Sequence, residues 1–252
     1  MPDKTFSGQH VLVTGGGTGI GRETALAFAE LGADSVIITG RRKEPLVEVA
    51  ALHPAVRPVV ADAATEAGVD TLLDEVRSGA GRLDVVVHNA AIFRLTPVDT
   101  LDAGVARELL EINVFGPVLL TARLLPVLRA PGGTIVVVSS VAGHVPAPGI
   151  SVYAATKAAV DSLTRTWAKE LAPKGIRVNA VAPGSVDTPI LLAAGIEPEA
   201  VASMRAESAA GMPLGRNGEV GDIAPWITKL AEPASSWVTG QVITIDGGSD
   251  LG

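Results

Sequence analysis

Seven short apolar runs recur along the chain, and segments with helical spacing separate them. The runs are rich in Val and Ile and mostly do not alternate with polar residues, which is typical of strands buried on both faces of a parallel sheet. The runs cover residues 10–14, 35–39, 56–60, 83–88, 134–139, 177–182 and 242–245. The helical segments cover residues 22–32, 70–79, 101–129, 152–171 and 219–231. This order predicts an α/β fold with a doubly wound parallel sheet of about seven strands and helices on both faces.

The segment from Gly184 to Gly218 interrupts this regular order. It contains three X-Pro pairs among small and apolar residues, and we predict an irregular insertion there. Long irregular segments in compact domains are usually functional, and this one follows the carboxyl end of a strand, where doubly wound folds bind ligands. We therefore predict a substrate loop or lid, with a mobile surface excursion as the alternative. No linker divides the rest, so residues 1–252 are predicted to form one domain.

Composition excludes several classes of protein. The 252 residues include no Cys, which excludes disulfides, thiolate metal ligands and Cys nucleophiles. The net charge of −7 argues against a nucleic-acid partner, whose binding surface would be basic. Residues 1–8 lack the apolar region of a signal peptide, and no apolar stretch is long enough for a membrane span, so we expect a cytoplasmic protein. No His pair has the spacing of a metal site, and none is predicted.

A glycine-rich turn joins the first predicted strand to the first helix. Gly15, Gly19 and Gly21 form a G-x-x-x-G-x-G pattern. Glycines let the backbone approach a pyrophosphate, and the helix N-terminus supplies N–H groups and a positive dipole end. We predict a dinucleotide site there, with an ordinary glycine-rich turn as the alternative. The residues assigned to this site are Thr14, Gly15, Gly17, Thr18, Gly19, Ile20 and Gly21.

The residues after the second strand bear on the choice of nucleotide. NAD sites usually place a carboxylate about 20 residues after the glycine turn, where it holds the ribose 2′-hydroxyl. Here Thr39 and Gly40 are followed by Arg41 and Arg42, with no acid. A guanidinium suits a 2′-phosphate, which an acid would repel. We predict NADP(H) as the preferred cofactor, with NAD(H) as a possible one; the alternative is that both arginines only cover the surface.

A tyrosine and a lysine one helical turn apart form the strongest local signal. Tyr153 is the only Tyr in the chain, and Lys157 lies four residues later on the same predicted helix face. We expect the ammonium to lower the pKa of the phenol toward the working range. Ser140 ends the fifth strand, where its hydroxyl can donate to a substrate oxygen or cap a turn. Asn113 lies in an apolar context inside the long predicted helix, so its amide must be hydrogen-bonded, either structurally or through water to Lys157.

Several motifs in order resemble those of the short-chain dehydrogenase/reductase family, over essentially the full length. They are the glycine turn, Asp62, Asn89-Ala90-Ala91, Asn113, Ser140, Tyr153-x-x-x-Lys157, and Pro183-Gly184 followed by Thr188. The resemblance implies a Rossmann-type fold and a catalytic tetrad of Asn113, Ser140, Tyr153 and Lys157. It further implies cofactor contacts from Asp62, Ala63, Asn89, Ala90, Ala91, Tyr153, Lys157, Pro183, Gly184, Val186 and Thr188. Finally, it implies that the tail from Trp237 to Gly248 builds a subunit interface of a homotetramer or homodimer.

Three functions remain open at this point. The preferred one is an oxidoreductase that transfers a hydride between nicotinamide and a small-molecule ketone or secondary alcohol. A 3-oxoacyl-[acyl-carrier-protein] reductase is the second, although Arg129 and Lys174 offer little basic surface for an acidic carrier. A non-catalytic NADP-binding sensor or scaffold is the third, and it predicts a damaged tetrad. A predicted apolar pocket would be lined by Ile92, Phe93, Val145, Ile190, Leu191, Leu192 and Met212, with no indication of a particular substrate.

Overall fold

Seven parallel strands form one sheet in the computed structural model, which describes residues 4–251. The strands are β1 (His10–Thr14), β2 (Ser35–Gly40), β3 (Val56–Val60), β4 (Val85–His88), β5 (Thr134–Val138), β6 (Arg177–Pro183) and β7 (Val242–Ile245). Their order across the sheet is β3-β2-β1-β4-β5-β6-β7. The predicted doubly wound α/β fold is confirmed, with strand ends within two residues of those expected. The terminal residues 1–3 and 252 of the predicted domain lie outside the described range.

The helices cover both faces of this sheet. They are α1 (Gly19–Glu30), α2 (Lys43–Ala50), α3 (Glu66–Ser78), α4 (Ala103–Leu110), α5 (Gly116–Leu124), α6 (Ser151–Leu171), α7 (Ile190–Ala193), α8 (Pro198–Gly211) and α9 (Val220–Ala231). Helix α2 has no counterpart in the predicted elements. Its Pro45 lies in the first turn, where proline is tolerated, so the residue does not break the helix.

The single helix predicted for residues 101–129 is wrong. Helices α4 and α5 are separated by a π-helical turn at Glu111–Phe115, and α5 ends at Leu124. Pro117 has no N–H to donate to the carbonyl of Asn113, so a regular α-helical ladder cannot pass this point. The π turn therefore lies around Asn113, one of the predicted site residues.

Two apolar layers fix the sheet. Alternate residues of the central strands point to opposite faces, so Val11 and Val13 pack with α1, α2 and α9, while Leu12 packs with α3, α5 and α6. Both faces are apolar, which explains why the strands appear in the sequence as uninterrupted Val/Ile runs. These layers hold the carboxyl ends of the strands in register at one edge of the sheet.

The segment between Gly184 and Gly218 is not irregular, and that prediction is wrong. Helices α7 and α8 occupy most of it. Helix α8 buries only Val201, so it lacks the apolar stripe by which an amphipathic helix is recognised in a sequence. Its position is as expected, because it follows β6 at the carboxyl edge of the sheet. No helix within residues 4–251 combines the length and the apolar character needed to cross a membrane.

Candidate active site

A cleft of about 930 Å³ runs along the carboxyl edge of the sheet. It passes the point where the strand order reverses, between β1 and β4, which is where doubly wound sheets bind ligands. One part, called here the glycine half, is lined by residues drawn from the segments 14–20, 39–46 and 61–64. The other, called the apolar half, is lined by residues drawn from the segments 91–95, 141–150, 189–193 and 204–208. Tyr153 and Lys157 also line the cleft.

Hydrogen bonds from β4 hold the glycine turn in place. The hydroxyl of Thr14 accepts from the N–H groups of Asn89 and Ala90, each at 3.0 Å. The side-chain amide of Asn89 donates to the carbonyls of Thr14 (2.9 Å) and Gly15 (3.2 Å). Thr14 and Asn89 line the cleft, but these polar atoms bind the turn itself. Their contribution is therefore to shape the loop.

Two glycines of the turn are required by its shape. Gly15 has a φ of +66°, in the left-handed region that side chains disfavour. A Cβ on Gly21 would lie 2.3 Å from the carbonyl oxygen of Gly15 and 2.4 Å from the Asn89 amide. Gly21 was predicted to bind the cofactor, but it does not line the cleft. Its lack of a side chain instead allows α1 to pack closely against the turn.

The glycine half has the donors that a dinucleotide requires. Thr18 precedes α1 in an extended conformation, and its side chain makes no cap hydrogen bond. The first-turn N–H groups, at Gly19 and Ile20, therefore remain available where the helix dipole is positive, and both residues line the cleft. Arg41 and Arg42 follow β2, are exposed and line the same half. This combination of N–H and guanidinium groups fits phosphate oxygens.

Tyr153, Lys157 and Ser140 meet between the two halves. Tyr153 is 9% exposed, and its ring packs edge-on against Phe93 at 5.0 Å between centroids. The ammonium nitrogen of Lys157 lies 5.7 Å from the centre of that ring and donates to the carbonyl of Val138 at 2.9 Å. The Ser140 hydroxyl caps the turn after β5 by accepting from Ala142 N–H at 3.2 Å. The predicted catalytic hydroxyls and the ammonium are thus brought together.

The expected lowering of the Tyr153 pKa is not what the structure shows. Burial raises the pKa of Tyr153 to about 12, and a hydrogen bond with Ser140 only partly opposes this rise. Burial also lowers the pKa of Lys157 to about 8, against the attraction of Asp161. Taking either side chain out of water disfavours its charged form.

The Asn113 amide is bound to backbone and to Thr156, and makes no direct bond to Lys157. Its oxygen accepts from the N–H of Ile92 at 2.9 Å, while its nitrogen donates to the carbonyl of Ile92 at 2.9 Å and to the hydroxyl of Thr156 at 3.2 Å. Asn113 is 3% exposed and does not line the cleft. These bonds tie the segment after β4 to the π turn and to α6.

The apolar half matches the predicted pocket in part. Ile92, Phe93 and Tyr153 form a third apolar cluster, against which Ile190 and Leu191 pack. Of the predicted lining, Ile92, Phe93, Val145, Ile190 and Leu191 line the cleft. Leu192 and Met212 do not, because the first points to solvent at 46% exposure and the second is buried beside Gly247. Arg94 and Arg205 line this half and were not predicted.

The other predicted cofactor residues lie along the cleft wall. Those that line it are Thr14, Gly15, Gly17, Thr18, Gly19, Ile20, Arg41, Arg42, Asp62, Ala63, Asn89, Ala90, Ala91, Pro183, Gly184, Val186 and Thr188. They come from five separate chain segments that the sheet topology brings to one edge. Asp62 accepts a hydrogen bond from the N–H of Ala64 at 3.0 Å, which fixes its carboxylate at the end of β3.

Comparison with known proteins agrees with this architecture. A family model described as enoyl-(acyl carrier protein) reductase matches residues 15–250. The chain is 39% identical to the 3-oxoacyl-[acyl-carrier-protein] reductase FabG of Thermotoga maritima, covering 96% of this chain and 98% of the relative. It is 38% identical to the glucose 1-dehydrogenase of Gluconobacter oxydans, covering 98% and 93%.

A solved structure gives the same result. The chain superposes with a TM-score of 0.91 on a short-chain dehydrogenase/reductase of unknown function from Caenorhabditis elegans, solved with cofactor. The two are 36% identical, and the match covers 98% of this chain and 97% of the other. The chain therefore belongs to the short-chain dehydrogenase/reductase family, and it is an oxidoreductase of the kind that acts on alcohols and ketones.

Proposed function

We propose that this protein is an NADP(H)-dependent oxidoreductase that interconverts a ketone and a secondary alcohol, with Tyr153 as the catalytic acid and base. The observation that carries the proposal is the meeting of Tyr153, Ser140 and Lys157 at the junction of the two halves of the cleft. When bound, the nicotinamide cofactor supplies or accepts the hydride. A non-catalytic sensor or scaffold would not need these three groups in one place.

Each polar side chain has a role in ketone reduction. Ser140 orients the substrate oxygen by donating a hydrogen bond to it, and Tyr153 gives that oxygen its proton. With a pKa of about 12, Tyr153 holds this proton at neutral pH, as a general acid must. The ammonium of Lys157 favours the phenolate left behind and then helps to restore the proton. Asn113 acts as a positioning residue, because it binds Ile92, which packs in one cluster with Tyr153, and Thr156, whose hydroxyl donates to the Tyr153 carbonyl.

Replacing Tyr153 by Phe tests this assignment. The variant should lose turnover while retaining NADPH binding, since it removes one hydroxyl and keeps the ring against Phe93. NADPH binding and ketone reduction are measured on the same preparation. Retained reduction with intact cofactor binding would exclude Tyr153 as the acid.

The choice of NADP(H) rests on Arg41 and Arg42. Both line the glycine half next to the end of β2, where an NAD site would carry an acid. We expect NADPH to bind at least tenfold more tightly than NADH, about 1.4 kcal/mol, and Arg41→Asp to remove the difference. Direct titration of both nucleotides measures this. Equal binding by the wild type would make both arginines surface charges and NAD(H) the better cofactor.

A 3-oxoacyl-[acyl-carrier-protein] reductase is the second candidate, favoured by the similarity to the Thermotoga maritima enzyme. The similarity to a glucose dehydrogenase is nearly as high, so identity does not decide between the two. An acidic carrier protein would need free basic surface near the cleft. Arg129, considered for that role, is paired with the buried Asp84 at 3.3 Å. Comparing an acyl-carrier thioester with simple ketones as substrates separates the two functions.

We further propose that α7 and α8 close over the substrate and that the chain forms a homotetramer or homodimer. Ile190, Leu191 and Met204 from these helices line the apolar half, as a lid would require.

Trp237 is 98% exposed and Trp226 46% exposed near the C-terminal end, which is typical of a surface that another subunit covers. Light scattering of wild type and Trp237→Glu tests the assembly, because a charge there should weaken an interface.

A further inference from the structure

The cleft is basic although the chain as a whole is acidic. The net charge of the chain is −7. The Asp, Glu, Lys and Arg residues among the described lining are Arg41, Arg42, Asp62, Arg94, Lys157 and Arg205. Arg41, Arg42 and Asp62 belong to the glycine half, and Lys157 belongs to the proposed proton path. Two cations, Arg94 and Arg205, therefore remain in the apolar half without a role in the proposed function.

Arg94 is held at the wall of the apolar half by its own neighbours. Its guanidinium donates to the carbonyl of Phe93 at 2.8 Å and lies 3.5 Å from the carboxylate of Glu108. Its side chain is 27% exposed. Glu108 does not line the cleft, so its carboxylate binds the guanidinium from the side away from the cleft. A guanidinium has five N–H donors, more than these two partners use.

Arg205 is held in the same way from α8. Its guanidinium lies 3.1 Å from the carboxylate of Asp187 and donates to the carbonyl of Thr188 at 3.0 Å. Its side chain is 35% exposed, and Asp187 does not line the cleft. Asn217 donates to the backbone carbonyl of Arg205 at 2.9 Å, which further fixes this part of the helix. Two fixed guanidinium groups thus border an apolar pocket.

We propose that the substrate of this enzyme carries a carboxylate in addition to its hydroxyl or keto group, and that Arg94 and Arg205 bind it. This inference rests on the proposed oxidoreductase function and names the substrate class of the same site. The planar fork of arginine matches the two oxygens of a carboxylate, and the apolar walls around Ile190 and Phe93 strengthen such bonds by excluding water. The carbon frame between the two polar ends would pack against those walls.

Matched acids and esters test the proposal by binding. Benzoate and cyclohexanecarboxylate are titrated by calorimetry into protein saturated with NADP⁺, and so are their methyl esters. We expect the acids to bind at least tenfold more tightly than the esters. Arg94→Met and Arg205→Met should each reduce this ratio toward one, while Arg107→Met, an exposed arginine on α4 outside the cleft lining, should keep it. Arg94→Lys keeps the charge and serves if the Met variant fails to fold.

Turnover separates failure of this inference from failure of the proposed function. Reduction by NADPH is compared for 3-oxobutanoate, 4-oxocyclohexanecarboxylate and 4-acetylbenzoate and for their methyl esters, which vary the distance between the keto group and the carboxylate. Esters reduced as well as acids would overturn the carboxylate site alone. Acids bound through the arginines with no ketone reduced would overturn the oxidoreductase function alone.

Discussion

Burial of Lys157 has a free-energy cost that a single substitution can measure. The side chain is 4% exposed, and burial lowers its pKa from 10.5 to about 8. At 1.36 kcal/mol per pH unit, keeping the buried ammonium charged below pH 8 destabilises the folded chain by about 3 kcal/mol. Lys157→Met removes the charge and keeps most of the volume. It also removes a hydrogen bond to Val138, which contributes about 1 kcal/mol.

We therefore expect the Lys157→Met variant to be more stable than the wild type by about 2 kcal/mol at pH 7. The advantage should depend on pH with a definite sign. Below pH 8, Lys157 is protonated in both the folded and the unfolded chain, and the full cost is present. Between pH 8 and 10.5 the folded chain loses this proton first, so wild-type stability rises and the advantage of the variant shrinks.

Urea unfolding of the cofactor-free protein at pH 7 and pH 9.5, at one protein concentration, measures both effects. Lys169→Met is the matched control, because Lys169 lies exposed on the same helix and its replacement should change stability little at either pH. A Lys157→Met variant less stable than the wild type at pH 7 would refute the reasoning. An advantage of the same size at both pH values would show that packing, and not charge burial, causes it.

Three further results are expected. Gly21→Ala should lower the melting temperature and weaken NADPH binding, since its Cβ would lie 2.3 Å from the Gly15 carbonyl oxygen; wild-type values for both would contradict the turn geometry. Asp161→Asn should shift the alkaline limb of the kcat/KM profile for reduction to lower pH, because Asp161 raises the Lys157 pKa; an unmoved limb contradicts this. Alcohol oxidation should accelerate with rising pH as Tyr153, with a pKa of about 12, loses its proton; a flat profile contradicts this.

The strands were predictable because each lies between two apolar layers, which leaves an uninterrupted run such as Val11 to Val13 in the sequence. The division of the α4–α5 region was harder to predict. Buried apolar residues such as Leu109, Leu120 and Leu124 recur along the whole region, which favours one continuous helix. This pattern does not show that Pro117 lacks the backbone N–H that such a helix requires. Helix α8 was not predicted because it buries only Val201 and so shows no apolar periodicity. Local periodicity thus predicted most of the elements that pack on the sheet, although not α2, and it did not predict α8 beside the site.

The candidate active site, too, was only partly predictable from local sequence patterns. The spacing of Tyr153 and Lys157 correctly predicted that they lie together, because both are on one helix face. The direction of their pKa shifts was not predictable, since it depends on burial by Phe93 and other segments distant in the chain. The positions of Arg94 and Arg205 in the cleft were not predicted for a similar reason. Nothing near either residue in the sequence indicates that the fold will bring both to the wall of one cleft.

Helix α6 divides stability and chemistry between its two ends. Its first half buries the polar groups of Tyr153, Lys157 and Asp161, each disfavoured in its charged form by burial. Its second half buries Ala168 and Leu171 in the apolar layer against the sheet. The packing of the second half therefore offsets the cost of the first. Truncating Leu171 to Ala should destabilise the fold by about 2–5 kcal/mol, whereas Tyr153→Phe in the first half should remove turnover at little cost in stability.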